Sequence, residues 1–465
     1  MTPSSPLPRC CIIGAGCSGL ATVKALNDRS IPHDCFEMSD RIGGVWAFGN
    51  PNGRAAAYRS LHIDTSKQRL QFDDFPIPDH YPHYPHHSQV LSYFEAYAEH
   101  FDLRRTITFN SEVRRAARTS DGLWRIELAT GGERLYDALF VANGHHWNPR
   151  WPTPPYPGAF DGRQIHVHSY RDPFDPIDMR GKRVLVVGMG NSAMDIASEL
   201  CPRHVTRRLF VSARRGVYIF PRFMLGVPAD KGKQSPWLPL SLQRAFGRAV
   251  YRIVMGRPED YGLPKPDHRL YESHGTVSDT FPGYVAAGDI AMRPAIERLD
   301  GGHVVFTDGR REAIDVIVWA TGYNVSFPFF DPDFLEVRDN RLPLYKRMIR
   351  PGIDNLFFLG LLQSSITVVA VAERQAKWLA SHLAGDLALP GVADMRQAIS
   401  ADEKRHQGRY YASARHTMQV DQDIYVWELE QEARRGRKRK AQRHGPGWLP
   451  VPARAAAGES PSHAA

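Results

Sequence analysis

The stretch "RVLVVGMGNSAMDIASEL", Arg183–Leu200, decides the fold of the middle of this chain. Its short apolar run Val184–Val187, mostly β-branched, predicts a buried strand. Gly188 and Gly190 follow in a turn, and a helical stretch follows the turn. A strand, a glycine-rich turn and a helix in this order predict a binding site for the phosphates of a dinucleotide.

A second stretch of the same design, "CCIIGAGCSGLATVKAL", lies near the start of the chain. Cys10–Ile13 predicts a strand, and the helix after the turn runs through Leu26. Gly14 permits the tight turn, Gly16 lets a pyrophosphate approach the backbone, and Gly19 lets helix and strand pack closely. The phosphates are expected at the helix N-terminus, where free N–H groups and the helix dipole favour anions.

The residues after this first turn favour FAD. A strand over His33–Phe36 leads to Glu37, which follows the turn by roughly 20 residues, the place where an acid can bind a ribose hydroxyl. The stretch "RIGGVW" comes next and contains Gly44 and Trp46. It is typical of FAD enzymes in which the chain runs back along the cofactor, so we predict FAD at the first turn.

The second turn favours NADPH. Ala193 stands at the third glycine position, where alanine is permitted. The next strand, Leu209–Val211, is followed by Arg214 and Arg215 and not by an acid. An acid would repel a 2′-phosphate, whereas arginine binds it through paired hydrogen bonds. The alternative is an ordinary surface pair of arginines. With one turn for each cofactor, the protein is expected to move a hydride between them.

The basic charge of the chain is concentrated near its end. Of the formal net charge of +9, seven cations lie in "RRGRKRK" (Arg434–Lys440) and Arg443, which leaves a net charge of +2 for the rest of the 465 residues. From about residue 433 the sequence has no apolar period, which predicts a basic disordered tail. Such a tail could touch nucleic acid or anionic lipid. No aromatic residue interleaves with the charges, so we expect a solvated tail and no nucleic-acid partner.

The cysteines and the apolar stretches bear on location. Five cysteines without a C-x-x-C pair predict reduced structural thiols in a cytoplasmic protein. The start, "MTPSSPLPR", is polar and does not predict a signal peptide. The most apolar long stretch, residues 356–372, is too short and too polar to span a bilayer, so no membrane partner is expected.

Six segments in order resemble the flavin-containing monooxygenases of the bacterial, soluble kind, which are class B flavoprotein monooxygenases. They are the first turn with "RIGGVW"; the segment from Tyr58 that begins "YRSLHIDTSKQRLQFDDFPIPDHYP"; the fingerprint "FDGRQIHVHSY" with Phe160, Gly162, His166 and Tyr170; the second turn; "DVIVWATGY" at 315–323; and "NLFFLGLLQ" followed by "AERQAKW" at 355–378. The resemblance covers residues 10 to about 430.

The resemblance implies an α/β fold of two doubly wound Rossmann-like domains, with the NADPH domain inserted into the FAD domain. The implied boundaries are 1–170 and 316–430 for the FAD domain, 171–315 for the NADPH domain and 431–465 for the tail. The order of the motifs agrees, because the second turn lies in mid-chain and a late strand at Phe357–Leu359 must return to the first sheet. The implied cofactor-binding residues are Gly14, Gly16, Ser18, Gly19, Glu37, Gly44, Trp46, Gly188, Gly190, Asn191, Ser192, Arg214, Arg215, Thr321, Gly360 and Gln363.

The implied activity is an FAD- and NADPH-dependent monooxygenation. One oxygen atom of O2 passes through a C4a-(hydro)peroxyflavin to an amine nitrogen, a sulfide sulfur or, in Baeyer–Villiger chemistry, a ketone. The partners are then a small-molecule substrate and O2, and the resemblance allows a homodimer. A helix starting near Val369 is implied to direct its positive N-terminus at the isoalloxazine, which favours the reduced anion.

Asp64 departs from the pattern. Much of the family has an asparagine before "[ST]-S-K", whereas Asp64 precedes Thr65-Ser66-Lys67 here. An ionised aspartate can only accept hydrogen bonds. Asp64 is therefore protonated in a dry site, or pairs with Lys67 or the cofactor, or turns away to cap a local turn. We take Asp64 and Lys67 as the candidate catalytic residues.

Other functions remain open. Asp64 leaves room for a poorly coupled NADPH oxidase, and a non-catalytic redox-sensing flavoprotein is the alternative from a different class. A disulfide reductase would need a redox cysteine pair at the flavin, which the cysteine positions do not supply. The histidines of "HYPHYPHH" lie among prolines without an acid or cysteine cluster, so no metal site is predicted. His166 is expected to have a structural role between the domains.

Overall fold

Two parallel sheets of five strands form the frame of the computed structural model, which describes residues 7–232, 234–410 and 417–442. In the first sheet all neighbouring strands are parallel, and the strand before the first turn is central. Its order is Leu356–Phe358, Ala138–Val141, Cys10–Ile13, His33–Phe36, Ile107–Thr108.

The second sheet repeats this arrangement. Its order is Ile290–Arg293, Arg208–Ser212, Arg183–Val187, Val316–Trp319, Arg163–His166, again with parallel neighbours throughout. In each sheet a glycine turn follows the central strand, the point at which a doubly wound sheet binds its ligand. The predicted fold class, α/β with two Rossmann-like units, is confirmed.

Smaller sheets and the helices complete the fold. A four-stranded sheet has the order Arg311–Ala313, His303–Phe306, Ile296–Gly301, Gly158–Phe160, and a three-stranded sheet has Val113–Arg118, Trp124–Leu128, Glu133–Tyr136. Two-stranded pairs join Ile219–Phe220 with Thr276–Val277, Phe223–Met224 with Val227–Pro228, and Gln363–Ser364 with Gln419–Val420. The α-helices are Cys17–Asn27, Lys67–Leu70, His87–His100, Asn191–Leu200, Leu240–Met255, Phe281–Ala286, Val368–Leu383, Val392–Arg409 and Gln422–Gln442. Among the described residues, none of these helices has the length and apolar character needed to cross a membrane.

Apolar packing covers both faces of the first sheet. Helices Cys17–Asn27 and Val368–Leu383 pack against each other, and their buried side chains form one core with alternate residues of the central strand, such as Ile12. On the opposite face, Ile13 packs with Trp124 of the three-stranded sheet. The late strand therefore returns to the first sheet, as the sequence predicts, and brings the helix from Val368 beside the first turn.

The two connections between the sheets run side by side. The backbone N–H of Arg150 donates to Gly322 O at 2.9 Å, and that of Asn324 donates to Asn148 O at 2.8 Å. The sheets therefore separate at 148–150 and 322–324, and not at 170 and 316.

The observed boundaries assign two strands to the second sheet that the predicted boundaries assigned to the first domain. Arg163–His166 and Val316–Trp319, which the predicted boundaries gave to the first domain, pair with each other there, and Val316 also lies in register with Val184. The apolar pattern predicted the strands, but pairing partners are set by tertiary contacts that the pattern does not contain.

The predicted disordered tail is wrong for residues 431–442. They continue the helix Gln422–Gln442, and residues 443–465 lie outside the described part of the chain. Glu432 is buried and accepts a hydrogen bond from Arg439 Nη2 at 2.5 Å. Gly436 fits closely against Leu387, where a Cβ would lie 3.0 Å from the leucine Cβ. A buried ion pair and a close glycine contact hold the helix, and neither produces an apolar period.

Candidate functional site

The first glycine turn, Gly14–Gly19, needs glycine at both ends. Gly14 has φ +99°, a left-handed conformation, and a Cβ there would lie 2.7 Å from Ala142 O. A Cβ on Gly19 would lie 1.9 Å from Gly14 O, so helix and strand approach more closely than any other residue permits. These are the roles predicted for the two residues.

Three chain segments meet at this turn. A Cβ on Gly16 would lie 3.7 Å from Gly44 Cα, so the two backbones approach each other closely. A Cβ on Gly360 would lie 2.3 Å from Ser18 Oγ. The structure thus brings Gly16, Ser18, Gly44 and Gly360 together, although they are up to 344 positions apart in the numbering. Trp46 ends the short 3-10 helix that begins at Gly44 and packs against the first core.

The start of helix Cys17–Asn27 is suited to an anion. Its N-cap, Gly16, supplies no side-chain hydrogen bond, so the N–H groups of the first turn lack the usual cap. Glu37 lies at the same turn, where its buried carboxylate accepts from Ala15 N at 2.7 Å and from Ser39 N at 2.9 Å. The close glycine contacts, the uncapped helix and the adjacent acid fit a dinucleotide such as FAD.

Gln363 lies farther along the same segment as Gly360. Its backbone N–H donates to Met418 O at 2.9 Å in the pair of strands Gln363–Ser364 and Gln419–Val420. Its side chain is half-buried. A contact with the first turn is shown for Gly360 and not for Gln363.

The second glycine turn, Gly188–Ala193, has the same construction. Gly188 has φ +136°, and a Cβ there would lie 2.5 Å from Ala320 O. Helix Asn191–Leu200 begins after Gly190, which again supplies no side-chain cap. Thr321, next to Ala320, donates from Oγ1 to Arg150 O at 2.5 Å. The turn therefore lies against the connection between the two sheets.

The remaining predicted residues of the second turn have different surroundings. Asn191 Oδ1 accepts from Val277 N at 3.0 Å, which ties this end of the helix to the strand Thr276–Val277. Ser192 is half-buried in the first turn of the helix. Arg214 and Arg215 are both exposed, and Arg215 Nε lies 3.4 Å from Asp267 Oδ2. Of the two arginines, Arg215 thus has an acidic partner from the protein itself.

Lys67 does not fit a catalytic role. Its buried Nζ donates to three backbone oxygens, Asp79 O at 2.8 Å, Tyr81 O at 2.9 Å and Pro78 O at 3.4 Å. An ammonium group has three donors, and these contacts use all of them. Lys67 holds the proline-rich segment in place and is not the partner of Asp64, so this prediction is corrected.

Asp64 instead pairs with Arg222, a residue that the sequence analysis did not single out. Arg222 Nη2 donates to Asp64 Oδ1 at 3.0 Å, and Nη1 donates to Asp279 Oδ2 at 3.1 Å. Burial and the nearby Asp195 carboxylate raise the pKa of Asp64 to about 8, while Arg222 acts in the opposite direction. Arg222 lies 158 residues after Asp64, so no local motif could have indicated the pair.

The segment of Asp64 lies against the chain that follows Gly360. Thr65 Oγ1 donates to Ile366 O at 2.8 Å. Two residues later the helix Val368–Leu383 begins, with Thr367 as its N-cap. The observed start agrees with the prediction of a helix from about Val369. The N-terminus of this helix lies next to the chain segment that contains Asp64.

His86, for which no metal site is predicted, and His166, for which a structural role is predicted, both have contacts within the protein. His86 is the N-cap of helix His87–His100, and its Nε2 lies 2.7 Å from Arg59 O. His166 Nδ1 accepts from His168 N at 3.1 Å, and its ring contacts that of Tyr323 with centroids 5.4 Å apart. His166 therefore lies where the connection between the sheets passes.

Comparison with known proteins identifies the family. The profile of the flavin-binding monooxygenase-like family matches residues 8–435. The chain belongs to this flavin-binding monooxygenase-like family. Mouse flavin-containing monooxygenase 5 is 35% identical over 91% of this chain and 82% of its own length. Rat dimethylaniline monooxygenase [N-oxide-forming] 2 is 34% identical over 90% of this chain and 82% of its own length.

Solved structures share the fold of this flavin monooxygenase. S-allyl-L-cysteine S-oxygenase from Allium sativum aligns with a TM-score of 0.70 at 24% identity, covering 94% of this chain and 93% of its own. A steroid monooxygenase bound to NADP aligns with a TM-score of 0.68 at 20% identity, covering 93% and 98%. Family membership confirms the predicted enzyme class, a flavin-dependent monooxygenase.

Proposed function

We propose that this flavin monooxygenase binds FAD at the first glycine turn and NADPH at the second. It inserts one oxygen atom of O2 into an amine nitrogen, a sulfide sulfur or a ketone. The observation that carries the proposal is the repeated construction of the two turns: each ends the central strand of its own parallel sheet and starts a helix without a side-chain cap. The N-oxide-forming relative favours amine nitrogen as the acceptor.

The first turn holds FAD through the chain's own backbone. The N–H groups at the start of helix Cys17–Asn27 bind the pyrophosphate, and the absence of side chains at Gly16 and Gly44 allows its close approach. Glu37 binds the ribose, and Trp46 and Gly360 complete the lining of this turn, while cofactor contacts of Thr321 and Gln363 stay predictions from the resemblance. FAD, once bound, supplies the redox and oxygen-transfer chemistry, and NADPH supplies the electrons.

The second turn binds NADPH, and a cationic side chain beside it recognises the 2′-phosphate. Gly188, Gly190, Asn191 and Ser192 form the turn and the start of the helix that binds the pyrophosphate. Arg214 binds the 2′-phosphate: both arginines are exposed, but the guanidinium of Arg215 lies 3.4 Å from Asp267 Oδ2, an acid that competes with the phosphate. NADH lacks this phosphate, so the site prefers NADPH.

Asp64 donates a hydrogen bond in the site. Burial and the nearby Asp195 carboxylate raise the pKa of Asp64, which shifts its carboxyl group toward the protonated form. A protonated carboxyl has an O–H donor, the function that an asparagine amide serves in relatives. With FAD bound, such a donor would favour transfer of oxygen to substrate over its loss as peroxide.

The test is an assay of the purified full chain with NADPH in air. We expect a yellow protein that releases FAD on denaturation, consumes NADPH faster than NADH, and adds one atom from isotopically labelled O2 to members of an amine, sulfide and ketone panel. The products are identified by mass spectrometry, and hydrogen peroxide is measured in parallel.

The alternatives give different results in the same assay. A poorly coupled oxidase converts all the NADPH oxidised into peroxide without labelled product. A redox-sensing flavoprotein takes up FAD but does not turn over NADPH. The homodimer and the cytoplasmic location stay predictions from the sequence, as does the absence of nucleic-acid and membrane partners.

A further inference from the structure

The helix Leu240–Met255 has a row of apolar side chains that faces away from the rest of the protein. The exposed members of this row, called the apolar stripe below, are Leu242, Phe246, Ala249 and Ile253. The side chains of Phe246 and Ile253 are 73% and 80% exposed. Their spacing of four, three and four positions places all of them on one face of the helix. A contiguous row of large exposed apolar side chains marks an interaction surface.

The opposite face of the helix is fixed to the protein. A Cβ on Gly247 would lie 2.5 Å from Tyr271 Oη, so the helix packs closely there. Tyr251 is buried, and its hydroxyl oxygen accepts from Ile219 N at 3.4 Å. The apolar stripe therefore cannot turn inward without breaking these contacts.

Trp237 extends the exposed apolar surface beyond the start of the helix. Its side chain is 78% exposed, and its ring contacts that of Trp427 with centroids 5.3 Å apart. Gln243 Nε2 donates to Ser235 O at 2.9 Å and to Leu238 O at 2.7 Å, which ties the segment of Trp237 to the first turn of the helix. Tryptophan has an apolar body and a polar tip and is enriched where a membrane meets water.

The sequence around the apolar stripe is positively charged. Residues 231–258 contain neither aspartate nor glutamate. Arg248 and Arg252 are exposed and flank the apolar stripe. The six cations of this segment are Lys231, Lys233, Arg244, Arg248, Arg252 and Arg257. The surface thus combines an apolar face with positive charge, the composition of a helix that lies in the interface of an anionic membrane.

We propose that the apolar stripe and Trp237 bind this protein to the surface of an anionic membrane. The helix lies in the plane of the interface with the apolar stripe at the edge of the acyl chains, and Arg248 and Arg252 reach the lipid phosphates beside it. The expected absence of a membrane partner rested on the lack of a spanning segment, and a helix in the interface needs none. This inference goes beyond the proposed function and does not depend on it.

Two other occupants fit this surface less well. A second copy that binds through the same face brings its own six cations against the first six, and like charges repel. A nucleic acid binds the cations through its phosphates but leaves the apolar stripe without an apolar partner. An anionic bilayer satisfies both the charges and the apolar side chains.

Vesicle flotation of the purified full chain tests the proposal. Vesicles of phosphatidylcholine and phosphatidylserine should bind the wild type, whereas vesicles of phosphatidylcholine alone should bind much less, because the cations need anionic headgroups. Phe246→Ser/Ile253→Ser should bind at least about tenfold more weakly, because two large side chains no longer leave water. Arg248→Gln/Arg252→Gln should also bind more weakly, with a smaller dependence on salt.

Phe174→Ser is the matched control for these variants. Phe174 is 52% exposed and lies outside residues 231–258, so the variant should bind vesicles as the wild type does. The Tm of Phe246→Ser/Ile253→Ser should match that of the wild type, because both replaced side chains are exposed. A wild type that does not float with anionic vesicles overturns the proposal, as does a double serine variant that floats equally well.

Tryptophan fluorescence gives the second readout. Brominated phosphatidylcholine in the anionic vesicles should quench the fluorescence of the wild type, and Trp237→Phe should lose most of this quenching. Equal quenching in Trp237→Phe would show that the protein binds through another surface.

Analytical ultracentrifugation without vesicles tests the second copy as the occupant. The wild type and Phe246→Ser/Ile253→Ser should have the same mass. A wild-type dimer that dissociates in the double variant would show that a second copy covers the apolar stripe, which overturns the proposal. None of these measurements requires turnover of NADPH, so a failure of the proposed activity is distinguished from a failure of membrane binding.

Discussion

Arg214 and Arg215 are neighbours in the chain but have different surroundings. Both are exposed, but Arg215 Nε lies 3.4 Å from the carboxylate of Asp267. We expect Arg214→Ala to raise the KM for NADPH by about tenfold to a hundredfold, the loss of a charge-assisted contact, with little effect on the KM for NADH. Arg215→Ala is the matched control and should have the smaller effect. Steady-state kinetics give the KM for both coenzymes. An equal rise in the KM for NADPH and for NADH would show that Arg214 does not bind the 2′-phosphate.

The sequence predicted the site residues that local contacts determine and missed those that depend on distant segments. Gly14 and Gly19 could be predicted, because contacts within one short turn require them to be glycine. Asp64 was noticed because it differs from the family pattern, but its partner Arg222 lies in a distant segment. Lys67 was misassigned because a sequence does not show which carbonyl oxygens surround an ammonium group.

The first turn and its helix provide a matched pair of substitutions at the scale of the element. In Gly19→Ala the new Cβ would lie 1.9 Å from Gly14 O, so the helix must move off the strand, at a cost of about 1–3 kcal/mol or more. In Gly16→Ala the nearest atom is 3.7 Å away, an ordinary contact. Gly19→Ala should therefore lower the Tm and lose FAD, whereas Gly16→Ala should keep the Tm of the apoprotein and weaken FAD binding alone. Thermal unfolding of the apoprotein and flavin absorbance separate these outcomes, and an unchanged Tm in Gly19→Ala would contradict the close packing.

Strong local patterns predicted elements well. Both strand–turn–helix stretches have the predicted type, and the first strand has the predicted bounds, Cys10–Ile13. Local patterns failed for Gln422–Gln442, which is helical although its second half is rich in cations and was predicted to be disordered. Its stability comes from Glu432, which is buried against Arg439, and from the close contact at Gly436. Such contacts depend on what the helix packs against, which composition does not reveal.

At the scale of the whole molecule, the boundary between the halves follows from which strands pair. The connections at 148–150 and 322–324 bond to each other, so the chain enters and leaves the second half at one place. This arrangement resembles a domain inserted into a loop, in which the ends of the inserted part lie close together. Motif order predicted the insertion, but placing its ends requires the sheet order.

This boundary predicts how fragments behave. A fragment of residues 147–325 retains all five strands of the second sheet and should fold cooperatively, whereas residues 171–315 lack Arg163–His166 and Val316–Trp319. Without Val316–Trp319, the central strand Arg183–Val187 loses one neighbour and exposes unpaired backbone groups, so the shorter fragment should be unfolded or aggregated. Circular dichroism with thermal unfolding compares the two fragments, and binding of NADP+ to the longer one tests whether the second glycine turn works alone. Cooperative unfolding of 171–315 would place the boundary back at 170 and 316.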